Sequence, residues 1–407
     1  LPTAGVAHLG YRRQYPASNR LNLPHAGKNY RQDWALSPHV WIAKDGFSLY
    51  TSSLYNMRLF SRKGHRAVGI DIGSGAVKLL EVTVARGGYR AERCAIEPLA
   101  RNAVVEHGIS DLEQTSDALR RALRNSRTRR KKAVVAVSST HVVSRKISLP
   151  AGLSEAEIEQ QVMIEAAQHI PHPLEEVNLD YRVTGGARSG NDDEIMITAC
   201  RKEIVEDYVA VVEAAGLSAA IVDVGGFAVE RGFAFVAPTL AQSLEGKVVA
   251  LIDFGDVTTH LDVFHNGTVI YSRDQNFGGR ILTENVRARY GIGYPEAEAA
   301  KRSGELPQNY EVDLLEPFRS SMAREVARGI EFFLSAGRGY GSVDALLVCG
   351  GCGQLPGVAE VIEAHAGIPT VIANPFAPGS RITAGKAVQR QASLLLKAAG
   401  LAVRGAG

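Results

Sequence analysis

Long apolar runs are missing from this chain of 407 residues: nowhere do eighteen apolar residues follow one another, so no membrane-spanning helix is expected. Nothing near Leu1 combines the basic, apolar and small-residue regions of a secretory signal. Cysteine is scarce, and the four that occur form no disulfide pattern, which suits a reducing compartment. Cys349 and Cys352 make a CxxC, but no second cysteine pair or close histidine completes a zinc set, so both read as packing residues. Charge of one sign is also lacking. Lys and Arg number 46 against 43 Asp and Glu, and a net charge of +3 is too small to imply a nucleic-acid surface over the whole protein. One basic run, Arg124 to Lys132, reads first as a solvated helix end, with contact to anionic lipid headgroups as the alternative; no aromatic residues interleave with it to stack bases, which speaks against a nucleic-acid site.

What is present begins at Val68, where VGIDIGSGAVK places a carboxylate, a glycine turn, a hydroxyl and a lysine in order after an apolar run. The segment Val248 to Phe264, VVALIDFGDVTTHLDVF, repeats that logic. Gly73, Gly75 and Gly255 remove side chains where backbone N–H groups can approach phosphate oxygens, a turn that forms an anion-binding nest. Ser74, and Thr258 or Thr259, can donate further hydrogen bonds, and Lys78 can set its ammonium against phosphate. Asp71 and Asp253 would repel a phosphate unless a hard cation, Mg²⁺ with most of its waters retained, lies between. Either hairpin alone also reads as an ordinary turn. A third element, Ala345 to Gly357, runs an apolar strand into a glycine turn whose Gly350 and Gly351 would let backbone lie flat against a purine or ribose. The three together point to a two-lobed nucleotide clamp. A dinucleotide-binding turn does not fit, because Asp71 is misplaced for it.

In this order the motifs resemble the actin, Hsp70 and sugar-kinase superfamily. The strings EAAQHIPHPLEEVNLDY at 165–181, GGRILT at 278–283, AEAAK at 297–301 and NPF at 374–376 are similar to the PilM family of actin-like type IV pilus assembly proteins. The resemblance runs from Met57 to Arg404. It implies an α/β, two-lobed actin-like ATPase fold with an inserted 1C (SHS2-like) subdomain shared with the FtsA branch. It also implies ATP and Mg²⁺ between the lobes. Asp71, Gly73, Ser74 and Lys78 then form the first phosphate element, and Asp253, Gly255 and Thr258 the second. Gly278 and Gly279 fall in the cofactor-binding set, Glu298 and Lys301 hold ribose and adenine, and Gly350 and Gly351 form the adenosine turn. Cys352 departs from the pattern, standing where relatives carry a third small glycine. His260 follows the second hairpin as a water-ordering histidine does in actin, though a histidine on a strand also serves as a plain hydrogen-bonding residue. Asp71, Asp253 and His260 are thus the candidate catalytic groups for at most weak ATPase activity, with Asp71 and Asp253 as metal anchors.

With the element pattern laid on it, the resemblance implies subdomain 1A at 57–139 and 221–246, the insert at 140–220, 2A at 247–277 and 342–407, and the helical 2B at 278–341. Within the insert a strand from Val142, a helix opened by a Ser154–Glu157 capping box, two strands, a second helix and a fourth strand are expected to make one open-faced sandwich. An open face or edge of that sheet would receive a partner peptide. Ala392 to Val403 reads as a closing helix buried in the core. Residues 1–56 carry both tryptophans, Trp34 and Trp41, without periodicity, and are expected to be upstream sequence with the natural start at Met57; a genuine extension is the rival. The resemblance implies a protein at the inner face of the inner membrane, attached through the cytoplasmic tail of a bitopic PilN-type protein and other pilus platform components. It implies no nucleic-acid partner and leaves self-association open. An FtsA-like filament protein and a small-molecule kinase of the same superfamily are the alternatives.

Overall fold

The computed structural model describes residues 66–186, 192–240, 243–337 and 339–406. The expectations for residues 1–56, for Met57 and for the middle of the 185–193 loop fall outside these residues. In chain order the main elements are β1 (Val68–Ile72), β2 (Ala76–Ala85), β3 (Gly88–Pro98), α1 (Leu112–Ser126), β4 (Lys132–Val137), β5 (Val142–Pro150), α2 (Glu155–His169), β6 (Val177–Gly186), β7 (Asp192–Arg201), α3 (Lys202–Ala214), β8 (Ser218–Val224) and α4 (Gly225–Val236). They continue with β9 (Val248–Phe254), β10 (Thr259–His265), β11 (Thr268–Gln275), α5 (Gly279–Tyr290), α6 (Tyr294–Ser303), α7 (Glu316–Ser335), β12 (Ala345–Gly350), α8 (Val358–Ala366), β13 (Thr370–Ile372), β14 (Ile382–Ala384) and α9 (Leu396–Ala406).

Two sheets repeat one plan. The first has strand order β8-β4-β1-β2-β3-β14 and the second β11-β10-β9-β12-β13. In each, an antiparallel meander (β1–β3, β9–β11) is extended by parallel strands delivered by helical crossovers. β1, VGIDI, is buried along its whole length and sits centrally, as a continuous apolar strand covered on both faces must. This duplicated lobe is the two-lobed actin-like arrangement.

The insert differs from expectation. Its sheet holds only β5, β7 and β6, in that order, with α2 on one face. β8 instead pairs in parallel with β4 in the first large sheet, and α3 packs its buried Tyr208, Val211 and Val212 into that lobe's core. The insert is therefore strand-helix-strand-strand. Sequence periodicity could not assign the last helix and strand, since an alternating strand fits the edge of either sheet. The capping box is present, with the Ser154 N–H donating to Glu157 Oε2 at 2.8 Å. α2 stops at His169, where Pro171 and Pro173 follow within four residues.

α9 closes the first lobe. It is apolar because it is core: Leu396, Ala398, Ala399, Leu401, Ala402 and Val403 are all buried. Glycines allow it to lie at backbone distance from its neighbours. A Cβ on Gly69 of β1 would stand 2.4 Å from the Ala402 nitrogen, and one on Gly400 only 1.9 Å from the Ala228 oxygen of α4.

Candidate functional site

The two glycine hairpins meet across a cleft. In each, the first glycine closes the turn through its own amide: Gly73 N–H donates to the Ala76 carbonyl at 3.1 Å and Gly255 N–H to the Thr258 carbonyl at 3.0 Å. Gly75 and Asp256 touch at the tips, since a Cβ on Gly75 would lie 2.7 Å from the Asp256 Cβ. Beneath them opens a cavity of about 1400 Å³. Of the sequence-derived site residues, Asp71, Gly73, Ser74, Gly75, Lys78, Asp253, Gly255, Thr258, His260, Gly279, Glu298, Lys301 and Gly351 line it.

Thr259, Gly278 and Gly350 lie behind that lining. Strand alternation turns Thr259 inward, and its hydroxyl donates to the Phe277 carbonyl at 2.8 Å, so Thr258 is the threonine that faces the cavity. A Cβ on Gly278 would meet the Asp256 oxygen at 2.4 Å. Gly350 has φ +82° and no room for a side chain, with Asp253 Oδ1 2.3 Å from its ideal Cβ. Both glycines let backbone pass close under the site.

The hairpin register explains the central ion pair. Asp71 and Lys78 are cross-strand partners of β1 and β2, and Lys78 Nζ donates to Asp71 Oδ2 at 3.0 Å. A second ammonium was not foreseen. Lys397 of α9 lies 3.8 Å from Asp71 Oδ1 and 3.9 Å from Asp253 Oδ2, one oxygen from each lobe. Burial alone would raise the Asp71 carboxyl, but the two lysines outweigh it and hold the group below its ordinary range. Asp71 in turn raises Lys397 well above an ordinary lysine, against the opposing effect of burial. The acids therefore have internal cations already and do not by themselves demand a metal ion. The signal was in the sequence: between Gln391 and Val403 the only charged residue is Lys397.

Lobe two contributes further charge that spacing alone did not reveal. Asp256 accepts from Arg280 Nε at 3.0 Å and from its guanidinium nitrogen at 2.7 Å, a fork that neutralises an acid at the hairpin tip. Lys301 Nζ lies 2.6 Å from Glu298 Oε1 and donates to Thr283 Oγ1 at 2.6 Å. Burial raises the Glu298 carboxyl, yet Lys301 and its hydrogen bonds hold it low, so it is an ionised acceptor on the cavity wall. Cys349 and Cys352 are buried, and burial pushes the Cys352 thiol up to about 12, which leaves both as packing groups.

His260 has no ring nitrogen to spare for water. Nδ1 bonds to Asp274 and Nε2 lies 3.1 Å from Asp262 Oδ1. Burial opposes its charging, but the two carboxylates prevail and push the imidazolium up to about 10. A folded-state value above the unfolded 6.5 means that the pair stabilises fully below pH 6.5 and loses that contribution as pH rises toward 10. Unfolding free energy is expected to fall across that window by up to about 1.4 kcal/mol per pH unit. Urea titrations at intervals from pH 6 to 10 should find this slope, and His260→Gln should flatten it.

Among the described residues no group of three or more His, Cys, Asp or Glu side chains converges as metal ligands, and no helix is long and apolar enough to cross a membrane. The family described as "Type IV pilus assembly protein PilM" matches residues 69–406. A solved chain of the PilM-PilN type IV pilus biogenesis complex is 25% identical with a TM-score of 0.67, covering 84% of this chain and 99% of that one. The ethanolamine utilization protein EutJ from Carboxydothermus hydrogenoformans is 17% identical with a TM-score of 0.50, over 83% of this chain and 89% of its own, which speaks for fold alone. EutJ of Escherichia coli (strain K12) is 32% identical over 125 residues, 30% of this chain and only 41% of that protein's length. With the duplicated lobes, the strand-helix-strand-strand insert and a match over residues 69–406, the chain belongs to the PilM family of type IV pilus assembly proteins.

Proposed function

We propose that this protein is an ATP-binding, actin-like adaptor of the type IV pilus inner-membrane assembly platform. In this reading it sits at the inner face of the membrane, binds the cytoplasmic tail of a PilN-type protein and changes partner affinity with nucleotide. The observation that carries it is the agreement in fold with a relative solved as a PilM-PilN complex, over 99% of that relative's chain.

Within this reading the turn amides around Gly73, Gly75 and Gly255, with Ser74 and Thr258, receive the phosphates, and Lys78 meets them as a point charge. Glu298 and Lys301 hold the ribose and base, beside Gly279 and the Gly350–Gly351 turn. Asp71 and Asp253 are hard oxygen donors on facing hairpins and suit a magnesium ion that keeps most of its waters. When bound, that ion supplies charge neutralisation at the phosphate oxygens. With both nitrogens of His260 engaged, any hydrolysis depends on Asp71 and Asp253 and is slow.

Capture of the purified chain on an immobilised PilN-type tail, with and without Mg-ATP, tests the adaptor role. A nucleotide-dependent difference in retention is expected, together with no flotation on liposomes that lack the tail. Tail-independent flotation would favour an FtsA-like membrane protein instead.

Closure of the cleft is helped by Arg101, which follows β3. Its guanidinium lies 3.1 Å from Glu284 Oε1 of α5 and 5.3 Å from the ring centre of Tyr294 on α6. The ion pair is half exposed on the arginine side and contributes about 0.5 kcal/mol, and the cation–π contact about 0.5–1 kcal/mol. Arg101→Ala should therefore release a fluorescent nucleotide about fivefold faster in stopped flow. An unchanged release rate would mean that this contact does not hold the cleft shut.

A further inference from the structure

Between the two hairpin aspartates stands a charged group, Lys397, that the nucleotide reading leaves without a task. Lys397 is rooted on a helix that cannot shift easily, since α9 meets β1 and α4 at backbone distance through Gly69, Gly232 and Gly400. Only its four-carbon stem can move. Its ammonium lies nearly equidistant from two aspartates on different lobes, at 3.8 and 3.9 Å, beyond direct hydrogen-bond length in both cases. Lys78, by contrast, is bonded to Asp71 at 3.0 Å. Lys397 is thus held by charge rather than by a directed bond, in the place where the oxygens of Asp71 and Asp253 face each other.

We propose that Lys397 is a built-in counter-cation that competes with a divalent metal ion for Asp71 and Asp253, and so sets how strongly nucleotide uptake depends on magnesium. The proposal rests on the nucleotide reading of the cleft for its second half only. A cation already seated between two carboxylates must leave before a metal ion can take the same oxygens, because two cations at one point repel. Without a ligand the ammonium neutralises the aspartates and metal binds weakly. A phosphate entering the cleft offers the ammonium a new partner and frees the carboxylates. Metal and nucleotide then bind together more strongly than either alone. Two acids and two lysines sum to no net charge, so the wild-type cleft also accepts a phosphate with little help from metal.

The test compares wild type, Lys397→Met and Lys397→Arg. Manganese binding to nucleotide-free protein, followed by paramagnetic resonance, reads the competition directly. Lys397→Met is expected to bind Mn²⁺ at least tenfold more tightly than wild type, and Lys397→Arg to stay near wild type. Equal affinity in wild type and Lys397→Met would overturn the proposal, as would Lys397→Arg binding as tightly as Lys397→Met, since the effect would then come from packing. In a second measurement the ratio of ATP affinities with magnesium and with chelator should rise at least tenfold in Lys397→Met; an unchanged ratio also counts against it. Absence of ATP uptake by the wild type would sink the nucleotide reading, while the manganese comparison would still decide on Lys397. Lys397→Gln replaces the methionine variant should that one not fold.

Discussion

Gly400→Ala should destabilise the protein by about 2 kcal/mol or more and carry the cleft with it. The alanine would gain about 1 kcal/mol of helix propensity, and overpacking a fixed contact costs about 3 kcal/mol. The second effect wins because the obstacle is backbone. The new Cβ would stand 1.9 Å from the Ala228 carbonyl oxygen and 3.1 Å from the Gly232 nitrogen, neither of which can rotate away. The facing Gly232 is as constrained, with Leu396 O 2.6 Å from its ideal Cβ. Relief requires α9 to move off α4, which lifts Ala402 from Gly69 of β1 and withdraws Lys397 from the aspartates. Loss of stability and loss of nucleotide affinity should appear together. Gly341→Ala is the control: nothing stands within 4 Å of its ideal Cβ, and a change within about 0.5 kcal/mol is expected. Identical urea midpoints for the two variants would refute the close-packing argument.

Asp71→Ala is expected to cost about 2–3 kcal/mol, whereas Asp253→Ala should cost under about 1 kcal/mol. The sequence treats these aspartates as equivalent; the structure does not. Asp71 is almost fully buried on a central strand and neutralises both Lys78 and Lys397. Removing it leaves two ammonium groups facing each other. The lysine side chains keep 16% and 29% exposure into the cleft, which places the cost below the roughly 3–5 kcal/mol of a fully buried broken pair. Asp253 is more exposed, and Lys397 approaches it no nearer than 3.9 Å. Asp71→Ala combined with Lys78→Met should recover part of the loss, since one stranded charge goes. The linkage has a definite sign: a folded-state Asp71 below its unfolded 3.8 contributes stability above that pH and loses it on further acidification. Denaturation at pH 7 and pH 3 should therefore bring the variant and wild type closer together at the lower pH. Equal costs for the two aspartates at pH 7 would sink the asymmetry.

Much of the cleft was legible because its chemistry is local. An aspartate two residues before a glycine, in a hairpin whose register brings a lysine opposite, needs only the strand period to be placed, and Asp71 with Lys78 follows from that. The capping box of α2 is equally local, being four residues of one turn. The fate of α3 and β8 was not legible, because a strand of alternating burial carries no mark of which sheet it joins; that depends on β4 having a vacant edge. Thr258 and Thr259 could be separated only once the phase of β10 was known. Residue order leaves His260 open between a water-ordering and a structural hydrogen-bonding role, because the carboxylates that engage it stand at positions 262 and 274, the second on another strand.

The identity of the two hairpins, their glycines and first acids, and the family strings around Ile170 and Gly278 were settled by residue order alone, since turn geometry and strand alternation act over a few neighbours. Lys397 reached the aspartates only through folding: it follows Asp71 by more than three hundred residues, and a charge in an apolar helix declares its partner only when close helix packing sets it against a distant strand.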